Sequence, residues 1–97
     1  MENPRLVYAS RSSCIYVGHP LMGKAPHATV VSCKYAECFW QYRKWDDGHA
    51  AWTKDTKGDA DRMRVVEADV PAPAREFLAK KYVEYCITRQ EIKLGRL

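Results

Sequence analysis

The chain has 97 residues, a formal net charge of +4, 46% apolar residues and 29% charged residues. This size allows one domain with one modest core, and the composition is typical of a globular protein rather than a disordered or membrane-embedded one. No apolar run approaches the roughly 18–20 residues that span a bilayer. The first five residues lack the apolar centre of a signal peptide. We therefore expect a single domain over residues 1–97 in the cytoplasm, with its four cysteines reduced.

Short strands are predicted in the first third of the chain. Residues 5–9, 14–17 and 28–33 are apolar runs, and the last of them is β-branched at its centre. Pro20, Gly23 and Pro26 predict a loop over residues 19–27, between the second and third runs.

Residues 35–45 fit two patterns. Positions 35, 38, 39 and 42 are apolar with the spacing of one helix face. Positions 38, 40 and 42 alternate with the polar positions 37, 41 and 43 as in a strand, although Phe39 breaks that alternation. The pair Asp47-Gly48 that follows is a hairpin signal, because both residues tolerate positive φ. We favour a hairpin in which residues 37–45 return as residues 50–54, and a helix over 35–45 remains the alternative.

The C-terminal third predicts a turn at residues 57–59, a strand at 63–68, a break at 69–73 and a helix from about 73 to 94. In this helix, apolar and long side chains recur on one face at Leu78, Tyr82, Tyr85, Arg89 and Ile92. Gly95 suits the end of the helix. The predicted fold class is α+β: a small antiparallel sheet, as a hairpin or meander, packed by one long C-terminal helix.

Residues 38–52 contain all three tryptophans, interleaved with basic side chains. Eleven aromatic residues (three Trp, six Tyr, two Phe) exceed what we expect one small core to hide. Trp, Tyr and Arg are also enriched at the energetic centres of protein interfaces. We therefore predict a partner-binding surface on these segments, formed by Trp40, Tyr42, Arg43, Trp45 and Trp52, with Arg89 and Lys93 on the helix.

The sequence also allows two other classes of function. Cys14, His19, Cys33 and Cys38 could hold zinc in a nucleic-acid-binding module, but their spacing is looser than that of common zinc knuckles. Acidic residues between 46 and 69 would repel phosphate groups, which disfavours direct nucleic-acid binding. The chain has no phosphate-binding loop and no nucleophile or metalloprotease motif. We therefore expect no enzyme activity and no cofactor.

The segment 70–74 contains Pro71 and Pro73. Pro73 can open a helix, since the missing N–H has no partner in the first turn. The alternative is an exposed X-Pro segment with slow cis/trans exchange, which would be a docking point for a prolyl isomerase.

The length, basic balance, aromatic density and segment 69–74 together resemble the anti-RecBCD accessory proteins of lambdoid phages. The resemblance implies a non-enzyme that binds the host RecBCD recombination nuclease through its RecC subunit, and inhibits it or redirects it towards phage recombination. It also implies a host prolyl isomerase engaged at Pro71 or Pro73. The host cytoplasm is then the site of action.

Overall fold

The computed structural model describes residues 3–13, 26–56 and 63–95. Within them, one antiparallel sheet has the strand order β1-β2-β3-β4-β5, so each strand pairs with the next one described. The strands are β1 (Arg5–Ser13), β2 (His27–Tyr35), β3 (Cys38–Trp45), β4 (Ala50–Thr56) and β5 (Met63–Val65). One helix, α1 (Ala72–Lys93), packs on the sheet. The predicted α+β class is confirmed, while the predicted strand 14–17 and turn 57–59 lie outside the described residues.

The strand interpretation of residues 38–45 is confirmed by the register, in which Lys44 pairs with Ala50 across the β3–β4 hairpin. Gly48 has a φ of 101°, and its N–H donates to the Trp45 carbonyl at 3.0 Å. A glycine is suited to this position because it has no Cβ to oppose positive φ.

The β2–β3 connection is a two-residue turn that the sequence does not signal. Tyr35 pairs with Cys38, so the loop consists of Ala36 and Glu37, whose φ values are 54° and 64°. Two consecutive positive φ values are typical of the turns that join twisted antiparallel strands. Asn-Gly normally occupies such turns, and here two residues with a Cβ do so.

Alternation along the strands separates the sheet into two faces. In an antiparallel pair, residues opposite each other point to the same face. Val31 is opposite Tyr42 and Cys33 is opposite Trp40, and all four contribute to the core beneath α1. The residues between them point away from α1. No described helix packs on this side of the sheet, which we name the helix-free face, and it includes Val30, Ser32, Gln41, Arg43 and Trp45.

The chain reaches α1 through a 3-10 turn at Glu67–Asp69. The predicted strand 63–68 is therefore too long: it ends at Val65, because the N–H of Asp69 donates to the Val66 carbonyl at 2.9 Å and curls the backbone. Pro71 caps α1 and Pro73 lies in its first turn, where no N–H is needed. The helix-opening interpretation of this segment is confirmed.

The core lies between the first half of α1 and the centre of the sheet. Ala74 and Leu78 are the buried residues of α1, and they cluster with Val70 and Trp40. Beyond Leu78 the same helix face becomes steadily more exposed, until Ile92 is 59% exposed. The sheet therefore does not cover the last two turns of α1.

Among the residues that the structure describes, no helix has the length and apolar composition that crossing a membrane requires.

Candidate functional site

The strand residues predicted to form one contact surface lie on two opposite faces of the sheet. Trp40, Tyr42 and Trp52 point towards α1, whereas Arg43 and Trp45 point to the helix-free face, because β3 alternates. Trp40 and Trp45 are each only 5% exposed, so the expectation that they are surface contacts is corrected. Tyr42, Arg43 and Trp52 are half-buried.

The rings on the helix side hold α1 against the sheet. The Tyr42 ring lies 4.5 Å from the Trp52 ring and 5.4 Å from the Tyr82 ring, centroid to centroid, the second pair edge to face. Trp40 donates its indole N–H to the Tyr35 carbonyl at 3.1 Å. Burial raises the pKa of the Tyr42 hydroxyl, with a smaller contribution from the negative charge of Glu67. These rings act as packing groups.

The helix-free face carries its own hydrogen-bonded network. Gln41, which is buried, donates to the Tyr8 hydroxyl at 2.6 Å, and Arg43 donates to the Gln41 amide oxygen at 3.0 Å. The Arg43 guanidinium lies over the Trp45 ring, 5.9 Å from its centroid. This geometry accounts for the interleaved aromatic and basic residues of β3 as intramolecular pairs.

Arg89 and Lys93 are the two predicted contact residues that are exposed. They line a cleft of about 270 Å³ between the C-terminal half of α1 and one end of the sheet. We name it the basic cleft, and its lining includes Arg11, Asp46, Tyr82, Cys86, Arg89 and Lys93.

Two of the residues that line the basic cleft form an ion pair. Arg11 donates two hydrogen bonds to the Asp46 carboxylate, at 2.9 and 2.7 Å, and a third to the Thr29 hydroxyl at 3.1 Å. The bond from Arg11 holds the pKa of Asp46 below its ordinary value, and the positive charges of Arg11, His27 and Arg89 add to this effect. Asp46 therefore stays ionised.

Among the described residues, the other two cations of the basic cleft have no ion-pair partner of their own. Neither Arg89 nor Lys93 forms a salt bridge with another described residue. With Asp46 already bound to Arg11, the cleft keeps an excess of positive charge. Such a site attracts an anionic group.

An apolar surface adjoins the cleft on the outer side of α1. Val83, Ile87 and Leu94 are 53%, 54% and 56% exposed, and they recur at i, i+4 and i+11. We name these three residues the apolar stripe. Ile87 and Leu94 line a shallow groove of about 410 Å³, which shares Cys86 and Gln90 with the basic cleft. The two surfaces are therefore continuous.

Sequence reasoning missed the apolar stripe and Arg11. The spacing of Val83, Ile87 and Leu94 was a detectable signal, because it places apolar residues on the side of a helix opposite its core face. Arg11 had no such signal, since its partner Asp46 lies 35 residues away.

Two of the four predicted zinc ligands are described. Cys33 is fully buried, and burial raises the pKa of its thiol to about 11, so it is protonated at neutral pH. Cys38 is half-buried on the same face of the sheet. In residues 3–13, 26–56 and 63–95, no group of three or more His, Cys, Asp or Glu residues could hold a metal ion. Cys14 and His19 lie outside the described residues, so the zinc alternative stays a prediction.

The proline segment is accessible in part. Pro73 is exposed and Pro71 is half-buried. Both prolines are preceded by trans peptide bonds. Docking of a prolyl isomerase at either residue stays a prediction.

The arrangement on α1 can bind another molecule through two kinds of contact at once. A partner that covers the apolar stripe buries apolar surface away from water, and a partner that enters the basic cleft meets positive charge.

No protein-family model, curated protein or solved structure significantly matches this chain.

Proposed function

We propose that this chain is a phage-type accessory protein that acts by protein–protein contact, without enzyme activity of its own. Its proposed target is a host DNA-recombination nuclease complex, RecBCD, bound through the RecC subunit, which it inhibits or redirects in the host cytoplasm. The target is taken from the resemblance, and the mode of action from the surface of α1.

One observation carries the binding role. The three residues of the apolar stripe are more than half exposed on one side of a single helix. Contiguous exposed apolar area beside charged side chains is typical of surfaces that meet another protein. Trp40 and Trp45, in contrast, are buried, which supports our proposal of a contact surface on α1 rather than on β3.

The same surface is poorly suited to nucleic acid. A phosphate backbone is bound mainly by cations spread along a groove. Here the basic cleft offers only Arg89 and Lys93 besides the Arg11–Asp46 ion pair, and these two side chains are one helical turn apart rather than spread along a groove. Aliphatic side chains also lack the flat rings on which single-stranded bases stack.

The test is capture of the nuclease by tagged protein, first from host lysate and then with purified RecBCD and isolated RecC. The double variant Ile87→Ser/Leu94→Ser removes most of the apolar stripe. The matched control is Val66→Ser, which removes an aliphatic side chain that is 63% exposed elsewhere. We expect at least about a tenfold loss of captured nuclease for the stripe variant and none for the control.

Degradation of linear double-stranded DNA by the purified nuclease gives the functional readout. We expect wild-type protein and Val66→Ser to change the rate of degradation, and the stripe variant to leave it unchanged. Failure of wild-type protein to bind purified RecBCD would refute the proposed target. Equal capture by wild-type protein and the stripe variant would refute the proposed surface.

A host prolyl isomerase is the second proposed partner. The exposure of Pro73 supports Pro73 over Pro71 as its docking residue. Capture of the purified isomerase by wild-type protein, and its loss in Pro73→Ala, is the expected result. Capture that Pro73→Ala does not reduce would contradict it.

A further inference from the structure

The exposed side chains of α1 change from basic to apolar around the helix axis. With about 100° between successive residues, Arg89 and Lys93 come first, then Cys86 and Gln90, and then Ile87 and Leu94. The basic cleft and the groove of the apolar stripe meet at Cys86 and Gln90. A partner that covers this half of α1 therefore meets cations and apolar side chains side by side.

We propose that the occupant of this surface is an acidic amphipathic helix of a partner protein. One of its carboxylates enters the basic cleft between Arg89 and Lys93, and its apolar side chains pack on the apolar stripe. This inference rests on the proposed function in one respect: the protein acts by binding another protein.

The cations of the basic cleft indicate that the occupant carries negative charge. Arg11 is already bound to Asp46 by two hydrogen bonds, so it has little capacity left for a second carboxylate. Arg89 and Lys93 are one helical turn apart and have no ion-pair partner among the described residues. The charges of Arg11 and Asp46 cancel, so one carboxylate bound between Arg89 and Lys93 would lower the net charge of the cleft lining from +2 to +1.

The helical form of the occupant follows from the form of the surface. The backbone groups of α1 are bonded within the helix, so an extended strand has no sheet edge to join here. A helix presents a carboxylate and an apolar side chain as neighbours when they are three or four residues apart. This spacing matches a basic cleft and a groove that share two lining residues.

A second copy of this chain fits the surface less well than an acidic helix does, because its own α1 is basic. Residues 80–93 carry four basic side chains (Lys80, Lys81, Arg89 and Lys93) against two acidic ones (Glu84 and Glu91). Two copies packed through α1 would therefore place like charges together, in a chain whose net charge is already +4. A partner helix rich in Glu or Asp avoids this repulsion.

The test uses two fluorescein-labelled peptides of about 18–20 residues, long enough to form a helix. The first has Leu at i, i+4, i+7 and i+11, with Glu three or four residues from each Leu. The second has Gln in place of every Glu. Fluorescence anisotropy at ~0.1 M salt, where surface charges still interact over about 10 Å, gives the affinity of each peptide.

Three variants separate the contributions. Arg89→Gln/Lys93→Gln removes the cations of the cleft, and Ile87→Ser/Leu94→Ser removes most of the stripe. Lys34→Gln/Arg64→Gln is the matched control: it removes the same charge from the helix-free face of the sheet. The substituted residues are exposed, except for Lys34, which is half-buried, so circular dichroism should be unchanged in every variant.

We expect wild-type protein to bind the Glu peptide about tenfold more tightly than the Gln peptide. The cleft variant should lose this preference, the stripe variant should bind both peptides more weakly, and the charge-matched control should behave as wild type. Equal affinity for the two peptides, or no binding of the Glu peptide up to about 1 mM, overturns the inference.

Two further outcomes would assign the surface to a different occupant and also overturn it. One is a labelled oligo-dT that binds wild-type protein, competes with the Glu peptide and is lost in the cleft variant. The other is a homodimer of the wild-type protein in sedimentation, where the stripe variant is a monomer.

Capture of RecBCD separates the inference from the proposed function. If the cleft variant captures purified RecBCD as well as wild type does, the inference fails and the proposed function stands. If wild-type protein binds the Glu peptide but not RecBCD, the proposed target fails and the inference stands.

Discussion

Replacing Leu78 with alanine tests where the core ends along α1. Leu78 is 0% exposed and clusters with Ala74, Val31 and Trp40. The change removes three carbon atoms, each of which contributes about 0.8 kcal/mol through burial, or about 2.4 kcal/mol in all. The cavity left between helix and sheet adds to this loss, so we expect the free energy of unfolding to fall by about 3–4 kcal/mol.

The matched control is Ile87→Ala, on the same helix. It also removes three carbon atoms, but from a side chain that is 54% exposed. Alanine favours the helix over isoleucine by a few tenths of a kcal/mol, so the expected change is within about 0.5 kcal/mol of zero. Urea unfolding followed by tryptophan fluorescence measures both values, because Trp40 and Trp45 are buried in the folded protein and become exposed on unfolding.

Equal losses for the two variants would refute the reasoning, since they would mean that both sides of α1 are equally covered. A loss above about 1.5 kcal/mol for Ile87→Ala alone would also contradict it, because an exposed side chain gives up little burial when it is truncated. In a domain of this size, 3–4 kcal/mol lowers the melting temperature by more than about 10 °C, so the contrast is also visible in a thermal scan.

Three further predictions follow from single features. Asp46→Asn should lower the free energy of unfolding at pH 7 by no more than about 0.5 kcal/mol, because the carboxylate is 60% exposed. Since the folded-state pKa of Asp46 lies below its ordinary value of 3.8, this stabilisation is present above pH 3.8 and is lost as pH falls through the lowered pKa. Wild type and variant should therefore converge in acid, and a constant difference across pH would contradict this. Ala36→Asn with Glu37→Gly should raise the free energy of unfolding by about 1 kcal/mol, because both residues have positive φ; urea unfolding that shows a loss would refute the turn assignment. Native Cys33 should resist iodoacetamide at pH 8 while Cys86, which is half-buried, reacts, because burial raises the pKa of Cys33 to about 11; peptide mass mapping that finds equal labelling would contradict it.

Much of the fold could be predicted from local patterns. The β3–β4 hairpin was signalled by Asp47-Gly48, and α1 by its periodicity and by the prolines before it. The β2–β3 turn was not signalled, because Ala36 and Glu37 reach positive φ without the residues that favour it. That conformation is imposed by the pairing of the strands on either side.

The candidate site was predicted less well, for reasons that concern tertiary structure. The expectation of surplus aromatic rings assumed one buried face, but the helix-free face also buries an indole, that of Trp45. Among the described residues, Tyr8 is the most exposed aromatic at only 38%, and the other exposed large apolar residues are aliphatic. The sequence indicated Arg89 and Lys93 on the helix, but their cleft depends on Arg11 in β1 and Asp46 in the β3–β4 turn, which are distant in the sequence.

The strand order β1-β2-β3-β4-β5 has a consequence for how the protein is made. Each described strand pairs with the strand that precedes it in the sequence, so the strands can pair while the ribosome is still adding residues. The 22 residues of α1 come after the five described strands, and until these residues leave the ribosome Val31 and Trp40 cannot be buried against the helix. A nascent chain halted before residue 72 should therefore be a good chaperone substrate, whereas one that includes α1 should not.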